Sequence, residues 1–265
     1  MTSKTVWKMA RNERTFRTDA IILRRQDFKE TDRLLTLFTP EYGKFTVIAK
    51  GVRKPTGRMT GHVELYTRCS LMLSRGRDLD IVTQAELQEP FLQLQESLER
   101  GAYASYAVEL VDRFTEPEER HDALYDLLCD GLRNISADGA DLRIIARFYE
   151  LSLLSLVGFQ PELFDCVVGH EPLEPQDQYF SAFDGGAICP EHAENNPHAQ
   201  PMNLPALKVL RYMTTQDWSM IRELVLSDPL HLELERILQS YIVYLLERRL
   251  RSVDFIRRLR YGAHE

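Results

Sequence analysis

The sequence predicts an α+β protein: an amino-terminal five-stranded OB-fold barrel followed by an α-helical domain with a Cys/His-containing loop excursion. Three observations predict it. Apolar residues recur with period two in five short segments between residues 15 and 87. After Pro90 the recurrence changes to that of a helix. Residues 159–203 then lose periodicity and fill with Pro, Gly, Asp and Glu.

Residues 1–14 hold Lys4, Lys8, Arg11 and Arg14 with little apolar patterning, and read as a basic arm or a merely solvated terminus. The predicted strands cover 15–23, 33–38, 44–50, 65–73 and 79–87, separated by turn signals at Pro40, Gly43, Gly76 and Asp78. Phe45, Val47 and Ala49 share one face of the third strand, and Leu65, Thr67, Cys69, Leu71 and Leu73 one face of the fourth. Five short strands with a long loop after the third suit a closed OB-like sheet, because closure removes exposed edges. The barrel is assigned to 15–89 and the helical domain to 90–265, with 159–203 as a zinc-ribbon-like insertion that is metal-bound or metal-free.

In the helical domain Tyr103, Tyr106, Ala107, Leu110 and Phe114 fall on one face until Pro117, as do Leu124, Leu127, Leu128, Leu132 and Ile135. Residues 142–157 are apolar almost all round except for a stripe of Arg143, Arg147 and Glu150, and Gly158 offers a stop. Asn203 is placed to cap a helix carrying Leu204, Leu207 and Leu210. Trp218, Ile221, Leu224 and Val225 suggest another helix, and a longer one follows Asp228 and Pro229. Basic residues from Arg248 to Arg260 suit a solvated helix end or an anionic partner.

At 265 residues and 44% hydrophobic content the chain can bury a core, and no apolar run reaches the roughly 20 residues of a membrane-spanning helix. The polar start lacks the apolar centre of a secretory signal, and four scattered cysteines give no disulfide framework, so a cytoplasmic protein with no membrane partner is expected. The net charge of −7 hides an asymmetry. Residues 1–80 carry 17 Lys plus Arg against 9 Asp plus Glu, leaving 16 against 31 for the remainder. A basic module on an acidic one can attract a polyanion.

The positive excess concentrates after the third strand, where GVRKPTGR follows Lys50 and supplies Arg53, Lys54 and Arg58. The loop lacks the Gly-Lys-Ser/Thr ending of a nucleotide-binding loop. Spaced cations on a loop can instead follow successive phosphates of a strand, and Arg24, Arg25 and Lys44 are expected to extend that track. Phe28, Tyr42 and Tyr66 are candidates for stacking on bases, or else core. Cys166 with His170 (CVVGH) and Cys189 with His192 (CPEH) could close a structural tetrahedral zinc; leftover thiols and surface histidines are the alternative. No catalytic signature of a serine hydrolase, zincin, deaminase or dinucleotide enzyme is present, so a binding protein rather than an enzyme is expected.

The run TDAIILRRQDFKETDRLLTLFTPEYGKFTVIAKGVRKPTGRM resembles the amino-terminal barrel of the RecO family of bacterial repair and recombination mediators, and RFYELSLLSLVGFQPELFDC resembles its central helix and cysteine region. The resemblance implies binding of single- and double-stranded DNA and annealing of complementary strands. It also implies recombinase loading onto strands coated by single-strand-binding protein, with RecR and that protein's acidic tail as partners. It places the protein in the bacterial cytoplasm, at the nucleoid. Many members bind zinc through two CxxC pairs; here Gly169 and His192 stand at the second and fourth cysteine positions, with His170 offering an imidazole one residue on. No cofactor is required by this reading, and a structural zinc is left open. Two alternatives remain: a zinc-dependent nucleic-acid hydrolase centred on the Cys/His loop, and a protein adaptor that binds no DNA.

Overall fold

Strands β1 (Thr15–Phe28), β2 (Asp32–Thr39), β3 (Gly43–Ala49), β4 (Arg68–Ser74) and β5 (Asp80–Glu89) close into a barrel in the order β1-β2-β3-β5-β4. The computed structural model describes residues 14–54, 59, 61–139 and 141–262; the arm up to residue 13, and Arg58 of the basic loop, lie outside the described residues. The ring closes because β1 pairs twice, its first half antiparallel to β4 and its second half antiparallel to β2. A register shift between Ile22 and Arg24 bends it from one partner to the other. Parallel pairing of β3 with β5 completes the circuit.

Alternation sends Phe16, Ala20, Ile22, Leu35, Leu37, Val47, Ala49, Cys69, Leu71, Leu73 and Val82 into one core, with Phe45 packed at its side. The predicted inward face is therefore correct, but two boundaries move. β1 continues five residues past Leu23, because the polar run RRQDF, which shows no apolar alternation, is held by pairing with β2. β4 begins at Arg68 rather than at Leu65, since Tyr66 takes a positive φ of 67° that an extended strand excludes.

The chain forms two compact units, one up to Ser136 and the other from Ala137. Helices α1 (Gln93–Glu96), α2 (Leu98–Phe114) and α3 (Asp122–Ser136) belong with the barrel in the first. Ser97 caps α2 by accepting the Arg100 N–H. Tyr125 of α3 packs on Phe38 of β2, and Glu89 of β5 accepts hydrogen bonds from both Arg68 of β4 and Arg133 of α3. A close backbone approach occurs at Gly43, where φ is +64° and an added Cβ would stand 1.9 Å from the Glu119 carbonyl oxygen.

In the second unit α4 (Leu142–Leu156) is mostly buried, capped by Asp141, and stops at Gly158 with a φ of +83°. It packs against α6 (Leu204–Thr215), α7 (Trp218–Ile221) and α8 (Asp228–Leu246); α9 (Arg251–Tyr261) follows. Of its polar stripe, Arg143 pairs with Asp141 and Asp228, and Arg147 pairs with Glu150 inside the core. Asn203 caps α6 as expected. The expected helix through Val225 ends at Ile221, and Val225 is 95% exposed. The stretch 159–203 is not structureless. Short strands β6 (Gln178–Ser181), β7 (Gly186–Ile188) and β8 (Ala199–Met202) form an antiparallel sheet in the order β7-β6-β8, with α5 (Pro190–Ala193) between the last two. Strands of three or four residues are too short for alternation to show in sequence. Among the described residues no helix is long and apolar enough to cross a membrane.

Gly43→Ala is expected to destabilise the protein by more than about 1 kcal/mol, because both the left-handed backbone and the Glu119 carbonyl oppose a side chain there. Urea unfolding followed by circular dichroism checks this; a midpoint within error of the parent would contradict it.

Candidate nucleic-acid interface

The antiparallel register fixes where each predicted cation lies. Arg33 of β2 faces Ala49 of β3, so the β1–β2 turn and the basic loop after β3 share one end of the barrel. Lys44 faces Phe38, at the other end of β3. A strand of this length separates the two ends by about 20 Å, and the six predicted cations that lie among the described residues do not form one track.

At the loop end, Asp32 joins the two segments. Its Oδ1 accepts the Gly51 N–H at 2.9 Å, while the Arg53 N–H donates to the Thr31 carbonyl at 3.1 Å and the Arg53 guanidinium to the Lys29 carbonyl at 3.2 Å. The Gly51 hydrogen bond, with Thr31, Lys29 and Lys50 adding, holds the Asp32 carboxyl below its ordinary pKa. The clip gathers Lys29, Lys50, Arg53 and Lys54 on one surface, with the half-buried Phe28 ring 5.3 Å from the Lys29 ammonium. Lys29 and Lys50 are exposed and, among the described residues, in no ion pair. Arg25 and Arg33 flank them and share Glu64. Against these six cations stand Asp27, Glu30, Asp32 and Glu64, so the surface keeps a positive excess.

The remaining two predicted cations have structural employment. The Lys44 side chain is largely but not fully buried; its ammonium donates to the Thr115 carbonyl at 2.8 Å and to the Asp112 carbonyl, and lies 3.1 Å from the Asp112 carboxylate. Burial, with Arg24 nearby, lowers its pKa. Arg24 pairs with the same Asp112 carboxylate. Both line a pocket of about 560 Å³ with Arg75 and Arg77, where Asp78, Asp80, Asp112 and Glu118 balance the charge. Its walls give a polyanion no net attraction.

The stacking candidates separate in the same way. Tyr42 packs edge-on against Phe16 and Phe45 beside the core. Tyr66 bonds Ser105, and burial raises its pKa. Phe28 sits beside Lys29 with its ring half exposed. Sequence reasoning missed Lys29; its signal was the turn between two strands that end beside the loop.

In the second unit Cys166, Glu171, Cys189 and His192 bring one potential ligand atom each to within 4.8 Å of one another. The expected fourth member, His170, is not among them; it adopts a left-handed turn with φ of +62°. Burial pushes the Cys166 thiol up, but the N–H groups of Cys189, Gly169 and Val168 outweigh it and hold the thiol below its usual value. Cys189 is pushed up to about 11, by burial first and then by Glu171 and Cys166. His192 is raised by its contact with the Cys166 sulfur.

The family model described as Recombination protein O N terminal matches residues 11–91, and Recombination protein O C terminal matches residues 95–254. The chain belongs to the RecO family. The DNA repair protein RecO of Roseiflexus sp. (strain RS-1) is 41% identical over 244 residues, covering 92% of this chain and 86% of that one. That of Symbiobacterium thermophilum is 35% identical over 247 residues, covering 92% and 98%, and one from Dehalococcoides mccartyi (strain ATCC BAA-2100) is 34% identical over 245, covering 92% and 96%. The junction of the two RecO models falls near Pro90, whereas compactness carries the first unit on to Ser136.

Asp32→Ala is expected to release the loop without unfolding the barrel, so that trypsin cuts after Lys50 and Arg53 faster than in the parent. Because the Asp32 pKa is lowered on folding, its contribution is complete above the ordinary aspartate value of about 3.9 and fades as pH falls through the lowered value. Equal cleavage rates near neutral pH would show that the clip does not hold the loop.

Proposed function

We propose that the protein is a DNA repair and recombination mediator that grips the phosphate backbone of single- and double-stranded DNA at the barrel end formed by the β1–β2 turn and the basic loop. The observation that carries the reading is the surface of Lys29, Lys50, Arg53 and Lys54, tied together through Asp32 and presented beside Phe28. Clustered cations bind phosphates without reading bases, and an adjacent ring adds stacking for unpaired bases. Membership in a family whose relatives are named DNA repair protein RecO supports the repair role.

Annealing follows from the same charge: neutralising two strands on one basic surface lowers their mutual repulsion. No nucleotide or catalytic group is needed. The acidic second unit suits protein partners, which in this reading are RecR and the acidic tail of single-strand-binding protein, so that the recombinase gains access to coated strands. A groove between α8 and α9 supports a site for such a tail, since Arg236, Arg249 and Arg257 surround Val243, Leu250 and Val253 in a pocket of about 330 Å³. Charge would meet the tail's carboxylates and the apolar floor its apolar end.

Replacing Lys29, Lys50, Arg53 and Lys54 together by alanine is expected to weaken oligo(dT) binding and to flatten log K against log salt by about 0.7 for each cation engaged. Arg120→Ala, which removes an exposed cation paired with Asp122 elsewhere in the first unit, is expected to leave the slope unchanged. Fluorescence anisotropy at several salt concentrations reads both. An unchanged slope in the quadruple variant would refute the assignment.

A further inference from the structure

A tetrahedral zinc with sulfur ligands at about 2.3 Å and nitrogen or oxygen ligands at about 2.0 to 2.2 Å has its ligand atoms about 3.2 to 3.8 Å apart. The group in the second unit approaches that spacing without any ion. Cys189 Sγ lies 3.1 Å from His192 Nδ1 and 3.2 Å from a Glu171 carboxylate oxygen; Cys166 Sγ lies 3.6 Å from the same Nδ1, and Glu171 lies 3.3 Å from it. The backbone is arranged for a thiolate as well. The N–H groups of Gly169 and Cys189 point at the Cys166 sulfur, at 3.4 and 3.5 Å. The residues present therefore fit a borderline-soft divalent cation, and two thiolates with an imidazole favour zinc over magnesium or calcium.

Gly169 shows how the set is completed. A Cβ built on it would fall 2.0 Å from the Glu171 carboxylate oxygen and 2.3 Å from the His192 ring. Any side chain at 169 would thus point into the centre of the group, and the Glu171 carboxylate, reaching back from two residues further on, fills that place. His170, whose backbone turns left-handed between them, is left outside.

We propose that Glu171 is the fourth ligand of a closed Cys166–Glu171–Cys189–His192 zinc site, its carboxylate taking the position that a side chain at residue 169 would occupy. With four protein ligands the site has no position for water, which makes it structural: it ties the turn at 166–171 to α5 beside the small sheet.

The test uses the full chain and zinc alone. The parent protein is expected to hold one zinc per chain. Glu171→Gln is expected to weaken zinc by at least about tenfold in competition with a chromophoric chelator. His170→Ala should change nothing. The double variant Gly169→Cys, Glu171→Ala is expected to restore tight binding, and its cobalt form should absorb more strongly in the thiolate charge-transfer region than the parent's. This arm keeps the test decisive even if Glu171→Gln folds poorly. Three results would overturn the proposal: no stoichiometric zinc in the parent, which would leave only a hydrogen-bonded cluster; parental affinity in Glu171→Gln; or loss of zinc in His170→Ala.

Discussion

An ammonium largely withdrawn from water needs acceptors for its protons, and Lys44 finds them at the carboxyl end of α2. Its partners are the carbonyls of Asp112 and Thr115 and the carboxylate of Asp112, so β3 is fixed to the helix that follows the barrel. The negative end of the helix dipole favours a cation there. Next to it Gly43 brings the backbone against Glu119, which leaves no space for a side chain at the same junction. With β3 anchored at its start, the other end of the strand and the loop beyond Ala49 lie beside the β1–β2 turn. The candidate surface thus lies at the end of β3 opposite this anchor.

The anchor also sorts the cations. A side chain whose charge is neutralised in a buried contact has little left for a ligand, whereas an exposed one gains from a phosphate at small desolvation cost. Lys44 belongs to the first kind, while Arg24, also paired with Asp112, stays half exposed at the rim of a charge-balanced pocket. Lys29 and Lys50 belong to the second. Basic residues near the carboxyl terminus divide similarly: Arg260 is held by Glu235, while Arg249 and the half-exposed Arg257 line the groove between α8 and α9.

The barrel was legible in the sequence because its strands are half-buried and alternate: Val47 and Ala49, and Cys69, Leu71 and Leu73, point inward as the period required. What was hidden depended on pairing rather than pattern. The polar end of β1 is a strand only because β2 lies beside it, and β6 to β8 are too short to show a period. At the candidate surface the loop cations were visible by composition, but Lys29 joins them through the register of two hairpins and Lys44 leaves them for the same reason. In the cysteine group, spacing suggested His170, and the direction of the backbone at Gly169 and His170 gave the place to Glu171. A left-handed residue cannot be read from the letter H.

The most direct question is whether DNA lies on the barrel end shared by the β1–β2 turn and the basic loop. Amide hydrogen exchange of the full chain, with and without saturating oligo(dT), locates the ligand without mutation. Slowed exchange across residues 27–33 and 50–54 is the result expected from the positions of Lys29, Lys50, Arg53 and Phe28. Unchanged exchange in both segments, with slowing confined to the second unit, would contradict the account.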